Sequence, residues 1–230
     1  MADPNRLLFE AVVRLLAPVL ADFVFVGGCT TGLFVTDPAA GGIRPTMDVD
    51  AIVDVTSYAK YAALSERLRT LGLAEDVTPG APLCRWRRGD LIIDVMPTDA
   101  AVLGFSNRWY PAALGTAETI ELGGQQVRVV TPALFIATKL EAFHGRGGGD
   151  FVGSHDLEDI ITVVDGRAEI VADVVAAADD VREYIRREVQ MLLGEQDFIE
   201  ALAGFLRPDP ASQARRGLLE ARLHSMAGES

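Results

Sequence analysis

Cysteine, histidine and positive charge are scarce in this chain, and no apolar run is long enough to be read as a membrane span. Each shortage narrows the class. The two cysteines, Cys29 and Cys84, are far apart and lack metal-ligand spacing, which argues for reduced thiols in the cytoplasm rather than a disulfide framework. His144 and His155 flank a glycine-rich loop with no cysteine nearby, a poor zinc signal, and they read as polar surface residues. With 21 Lys and Arg against 33 Asp and Glu, the formal charge of −12 argues against broad adhesion to nucleic acid or anionic membrane. Any RNA partner has to meet a local basic patch. The apolar stretch from Leu7 to Val26 is broken by Glu10, Arg14, Pro18 and Asp22, so it is neither a membrane span nor a signal peptide. No glycine cluster carries the Gly-Lys-Ser/Thr ending of a P-loop, and Ser154-His155 lacks a nucleophile-elbow context.

What is present suits a folded enzyme. The 230 residues are 49% hydrophobic, enough for one large domain or two small ones with a sizeable core. Leu7, Leu8, Ala11, Val12, Leu15, Leu16 and Val19 recur at helical spacing and predict a helix with one buried stripe. A strand Phe23 to Val26, a glycine turn, a short helix from about Thr30 to Val35 and a Gly/Pro-rich loop lead to a second strand through Asp48 and Asp50. Thr56 and Ser57 are cap candidates for a helix to about Leu71, with Leu64, Leu68 and Leu71 on its buried side. Hairpins follow around Gly89-Asp90 and Gly123-Gly124. From Thr131-Pro132 onward the pattern is almost wholly helical: Pro132 to Phe143, Asp156 to Val164, Ala168 to Ala178, Val181 to Leu193, Asp197 to Phe205 and Ala211 to Met226. The expected fold is therefore α+β, a mixed sheet with flanking helices over residues 1–130, followed by a C-terminal helical bundle over 131–230 with a catalytic cleft between them.

The chemistry concentrates in carboxylates. Asp48 and Asp50, at i and i+2 on a strand, share a face, and carboxylates side by side repel unless a cation lies between them, which suggests Mg²⁺. Asp94, between Ile92 and Met96 on one strand face, adds a third carboxylate that needs a partner and is placed to take a proton from an attacking hydroxyl. Gly27 and Gly28 let backbone approach phosphates, and Thr30 and Thr31 add hydroxyl donors. Arg44 and Thr46, just ahead of Asp48, are further binding candidates. Lys139 interrupts an apolar run and wants an anion; Arg146 lies two helical turns along the same side; Asp156 and Asp159 either anchor that pair or cap the next helix. Arg85, Arg87 and Arg88, with Arg108 and Trp109, form the best candidate patch for an RNA strand, although charges on a hairpin edge also serve simply to keep it solvated.

Two stretches carry a resemblance: Val26-Gly27-Gly28 through Arg44-Pro45-Thr46-Met47-Asp48-Val49-Asp50, and Thr131-Pro132 through Lys139, Arg146, Asp156 and Asp159, with Asp94 between them. Together they resemble the polymerase-beta-type nucleotidyltransferases, and within them the AbiEii/AbiGii toxin-like group that includes the MenT-like toxins. The resemblance implies catalytic metals, Mg²⁺, held by Asp48, Asp50 and Asp94, a nucleoside triphosphate substrate with its triphosphate held by Lys139, and Asp156 and Arg146 as the carboxylate and base that follow. It implies transfer of a nucleotide to a hydroxyl acceptor, in some members the 3′ end of tRNA, and a cognate antitoxin encoded alongside. The 19 residues from Cys29 to Met47 make a longer connection than many members have, and Gly28 stands where many carry serine. Rival expectations are nucleotidylation of a small molecule such as an aminoglycoside, nucleotidylation of a protein, or a non-catalytic module that binds a nucleotide or an antitoxin.

Overall fold

The computed structural model describes residues 3–146 and 149–229; the side chain of Arg146 lies outside the described residues, as do Gly147 and Gly148 of the glycine-rich loop. Cα proximity divides the chain into two compact units. One contains Pro4–Thr30 and Pro45–Thr131; the other contains Thr31–Arg44 and the chain from Pro132 onward, so a segment from the N-terminal half is grouped with the late helices.

The first unit is built on a mixed sheet. It opens with α1 (Arg6–Leu16) and a 3-10 turn (Ala17–Asp22), which feed β1 (Phe23–Val26). The buried stripe of α1 is Phe9, Val12, Val13 and Leu16. This corrects the expected stripe: Leu7 is exposed, because spacing i, i+3, i+4, i+7 from Phe9 puts the aromatic ring inside, against Phe25 at 4.9 Å. Next come β2 (Val49–Val53) and α3 (Tyr58–Thr70), which Ser57 caps by accepting from the Lys60 N–H. The remaining strands are β3 (Ala74–Glu75), β4 (Arg85–Arg88) and β5 (Leu91–Pro97), then, after the short helices α4 (Ala100–Leu103) and α5 (Tyr110–Gly115), β6 (Glu118–Leu122) and β7 (Gln125–Val129). Among the described residues these seven strands form one sheet in the order β3-β4-β5-β2-β1-β7-β6. β2 runs parallel to β5 and antiparallel to β1, and β1 runs parallel to β7. All four residues of β1 are buried, as expected of a continuous apolar run at the sheet centre. Gly123 and Gly124, both at positive φ, supply the tight turn between β6 and β7.

The second unit is helical. α2 (Thr31–Phe34) is followed, beyond the sheet, by α6 (Pro132–Arg146), α7 (His155–Gly166), α8 (Ile170–Ala176), α9 (Asp179–Gly194), α10 (Gln196–Phe205), α11 (Pro210–Gln213) and α12 (Arg216–Met226). Phe34 packs on Phe135 at 5.1 Å, and Gly166 lies so close to Val35 that a Cβ there would meet it at 2.9 Å. The helix expected from Ala211 to Met226 is two helices. Between them Arg215 turns inward, its Nε 2.8 Å from Asp165 and its Nη2 2.8 Å from Asp37. Among the described residues no helix is long and apolar enough to cross a membrane.

Candidate active site

Strand register brings the sequence-predicted carboxylates together. In the parallel β2–β5 ladder Asp50 stands opposite Asp94, while on the other side of β2 Asp50 stands opposite Val26. Gly27, directly after Val26, takes φ +73°, and a Cβ placed on it would lie 2.0 Å from Asp50 Oδ2. The glycine is therefore needed twice, for a left-handed backbone and for space beside a carboxylate. Asp48, just before β2, is held by Thr46, whose hydroxyl donates to Asp48 Oδ1 at 2.9 Å; the Thr46 N–H in turn donates to the buried Asn5 side chain at 2.8 Å.

The cation among these carboxylates is an arginine. Arg85 pairs with Asp94 across the β4–β5 ladder and grips it with two bonds of 2.8 Å, Nε to Oδ1 and Nη2 to Oδ2. The same Nη2 donates to Asp48 Oδ2 at 2.7 Å. Hydrogen bonding to Asp94, reinforced by the charges of Asp94 and Asp48, pushes the Arg85 pKa further above its already high value. Beneath them Cys84 is buried, and burial together with the nearby Asp94 and Asp50 charges pushes its thiol up to about 12, so it stays protonated and unreactive. Asp50 and Asp94 on paired strands, with Asp48 just before β2, are a donor set of the right kind for a hard divalent cation. As they stand, however, no group of three or more His, Cys, Asp or Glu side chains among the described residues is placed to hold a metal ion. Arg85 lies between two of the three.

Glycine and threonine contributions divide. The Thr30 hydroxyl is turned inward and donates to the Gly27 carbonyl at 2.8 Å, so it braces the turn rather than offering a donor outward. The Thr31 hydroxyl is buried and meets no protein partner among the described residues. Gly28 is buried in the 3-10 turn (Gly28–Thr30) that follows Gly27.

In the second unit Lys139 finds its anions in Asp159, 2.7 Å away, and Asp156, at 3.0 Å. All three are buried, Asp159 almost completely. Arg44 joins them, its Nη2 3.2 Å from Asp159. Asp156 and Asp159 thus anchor the lysine, while the cap of α7 is Ser154, which accepts from the Leu157 N–H. The Arg146 side chain, expected alongside Lys139, lies outside the described residues.

The basic patch is corrected in part, since Arg87, Arg88 and Arg108 are exposed while Arg85 and Trp109 are not. Arg85 is committed to the carboxylates, Arg87 is paired with Asp76 at 2.6 Å, and Trp109 is buried, with Arg108 over its ring at 5.8 Å. The aromatic platform expected for an RNA strand is therefore not on the surface. Asn5 was not foreseen, because nothing around it in the sequence marks a link to residue 46. The Arg85–Asp94 pair was open to view: a two-residue turn at Gly89-Asp90 puts 88 opposite 91, and counting outward puts 85 opposite 94.

Comparison with solved structures bears on the fold. A nucleotidyltransferase-like antigenic protein from Paracoccidioides brasiliensis superposes with a TM-score of 0.52 at 19% identity, over 87% of this chain and 93% of that one. JHP933 from Helicobacter pylori superposes at 0.50 and 12% identity, over 97% of this chain and 90% of that one. The chain has a nucleotidyltransferase-like fold. No protein-family model matches the sequence, and no curated protein matches it either. Identities this low speak to the fold alone.

Proposed function

We propose that the protein transfers a nucleoside monophosphate from a nucleoside triphosphate to a hydroxyl acceptor. The observation that carries this reading is that Asp50 on β2 stands opposite Asp94 on β5, with Asp48 just before β2 linked to Asp94 through Arg85 and the positive-φ Gly27 beside Asp50, in a nucleotidyltransferase-like sheet. In the reaction the acceptor oxygen bonds to the α-phosphorus, the bond to the β-phosphate oxygen breaks, pyrophosphate leaves, and the hydroxyl proton passes to a carboxylate, for which Asp94 is the assigned base. Asp48, Asp50 and Asp94 would hold Mg²⁺, which when bound neutralises phosphate charge and polarises the α-phosphate. Backbone at Gly27 and Gly28 approaches the phosphates, and the Thr31 hydroxyl, which meets no protein partner among the described residues, is assigned as a further donor. Lys139 is assigned to the triphosphate and Asp156 to its support.

The finer reading is a toxin of the AbiEii/MenT-like type, cytoplasmic, acting on RNA such as a tRNA 3′ end and restrained by an antitoxin. Its support is the sequence resemblance. The test is incubation of purified protein with each labelled nucleoside triphosphate and Mg²⁺, offering total RNA, an aminoglycoside or protein as acceptor. Labelled RNA from wild type and none from Asp48→Asn supports the RNA branch, and label on drug or protein redirects it. Absence of triphosphate consumption with every acceptor overturns the enzyme reading in favour of a non-catalytic module, a reading that the closure of Asp48 and Asp94 by Arg85 favours.

A further inference from the structure

We infer that Arg85 and a divalent cation are alternative occupants of the Asp48–Asp94 carboxylates, so that the cation enters only as the guanidinium withdraws. The inference rests on the nucleotidyl-transfer reading for the identity of the competitor and on geometry for the rest. One Nη2 bridges carboxylates from two strands, and the fork on Asp94 uses both of that residue's oxygens. The ligand atoms that a metal would need are the ones the arginine holds.

Register makes the arrangement permanent in sequence terms. Arg85 is the cross-strand neighbour of Asp94, tethered through the tight turn at Gly89-Asp90, so its guanidinium is always at hand when the carboxylates are bare. Without it Asp48 and Asp94 would lie near each other with no guanidinium between them to offset their repulsion. One guanidinium against the two carboxylates it bridges still leaves an excess of negative charge, which favours exchange for a doubly charged ion. The Arg85 side chain is 21% exposed, against 9% for Asp94, so it can leave toward solvent without opening the core. Arg85 is thus an internal counter-ion that keeps the site folded while empty and lowers its affinity for metal.

The test uses full-length protein and Mn²⁺ as probe, its free concentration read by electron paramagnetic resonance. Arg85→Gln should bind Mn²⁺ at least about tenfold more tightly than wild type, within the ordinary range of coupled binding. Arg85→Lys, which keeps the charge but lacks the planar fork that takes both oxygens of Asp94, should fall between, and serves if the glutamine variant fails to fold. In wild type, the Arg85 Nε–Hε NMR signal should shift on saturation with Mg²⁺, and Asp94→Asn should abolish that response. Equal or weaker Mn²⁺ binding by the variants, no binding by any form, or an unmoved Arg85 signal at saturating Mg²⁺ overturns the inference. Its failure is separable from that of the functional reading: tighter binding by Arg85→Gln with no triphosphate consumed by any form sinks nucleotidyl transfer alone. Mg²⁺-dependent transfer with unchanged Mn²⁺ affinity sinks the counter-ion role alone.

Discussion

Gly27 and Asp50 occupy one space that only a residue without a side chain can share: the missing Cβ would fall 2.7 Å from Asp50 Cγ and 2.0 Å from Oδ2. Gly27→Ala therefore meets two penalties, a left-handed φ of +73° and a collision with a carboxylate held in a strand. Urea unfolding should show a loss of about 1–3 kcal/mol, the range for strained backbone positions. Gly42→Ala, where nothing stands within 4 Å and φ is ordinary, should change stability by less than about 0.5 kcal/mol. Matching effects at the two sites would remove the steric account of the glycine turn.

Lys139 offers a second separation. It lies with Asp156 and Asp159 in a buried ionic cluster, and truncating one partner of such a cluster strands the other charges. Lys139→Met should lower stability by about 3 kcal/mol or more, whereas the double change Lys139→Met with Asp159→Asn should recover part of that loss, because it removes a charge that would otherwise remain buried. A double-mutant cycle from denaturation curves measures the coupling. Activity loss in the stabilised double variant then reports on Lys139 in the reaction rather than in the fold.

The elements that were legible in the sequence are those whose signal is local. β1 is a run of four apolar residues, the β4–β5 and β6–β7 hairpins are announced by Gly89-Asp90 and Gly123-Gly124, and α6 begins at Pro132 after a threonine. What escaped depends on distant partners or on short lengths. β3 is two residues, held by pairing with β4, and α4 is four, capped by Asp99, both too brief for any periodicity. At the split between α11 and α12 Arg215 reaches Asp165, fifty positions away, a partner that no local pattern announces. In the candidate site the acidic residues stood out as isolated charges in apolar strands. Arg85 was misread for the opposite reason: beside Arg87 and Arg88 it looks like one charge among several on an edge, and only the pleat sends it to the carboxylate side.

Alkaline pH should destabilise the first unit. Burial pushes Cys84 and Tyr61 each up to about 12, and the Tyr61 hydroxyl also donates to the Val95 carbonyl at 3.2 Å. Both are acids with folded pKa above the unfolded value, so the folded chain binds more protons between about pH 9 and 12 and loses stability as pH rises through that window. Thermal unfolding followed from pH 8 to 11 should show a falling Tm, with a shallower slope in Cys84→Ala. Over the same range the Cys84 thiol should stay nearly inert to Ellman's reagent until the protein opens, and rapid labelling of the native protein at pH 8 would contradict the burial argument.

At the acid end Asp76 has the opposite sign. Hydrogen bonds from the Thr78 hydroxyl and N–H, joined by Arg87, hold its pKa down at about 2, so its contribution is complete above the ordinary carboxylate pKa near 3.8 and is lost as pH falls toward 2. Asp76→Asn should weaken the β3–β4 edge at pH 6 while flattening the acid dependence of stability between pH 4 and 2. Amide exchange at Asp76, whose N–H donates to the Arg85 carbonyl, is the local reporter. An unchanged acid limb would remove Asp76 as its source.

Thr46 tests positioning against bulk stability. Its hydroxyl is bonded to Asp48 Oδ1 and its N–H to Asn5, so the backbone link survives when the hydroxyl is replaced. Thr46→Val should leave Tm within a few degrees, since the residue is only half-buried and the loss is one neutral-to-charged bond of about 1.5–3 kcal/mol at most, part of it recovered from solvent. Asp48, freed on that side, keeps its bond to Arg85 and rotates toward it. In the nucleotidyl-transfer assay kcat should fall about tenfold or more, the order expected for a displaced reacting group, with KM for the triphosphate little changed. Asn5→Ala should reproduce the direction through the backbone of residue 46, and Thr46→Ser, which restores the hydroxyl, should recover most of the rate. A serine variant as slow as the valine one would mean that the methyl group, not the hydrogen bond to Asp48, is what the site requires.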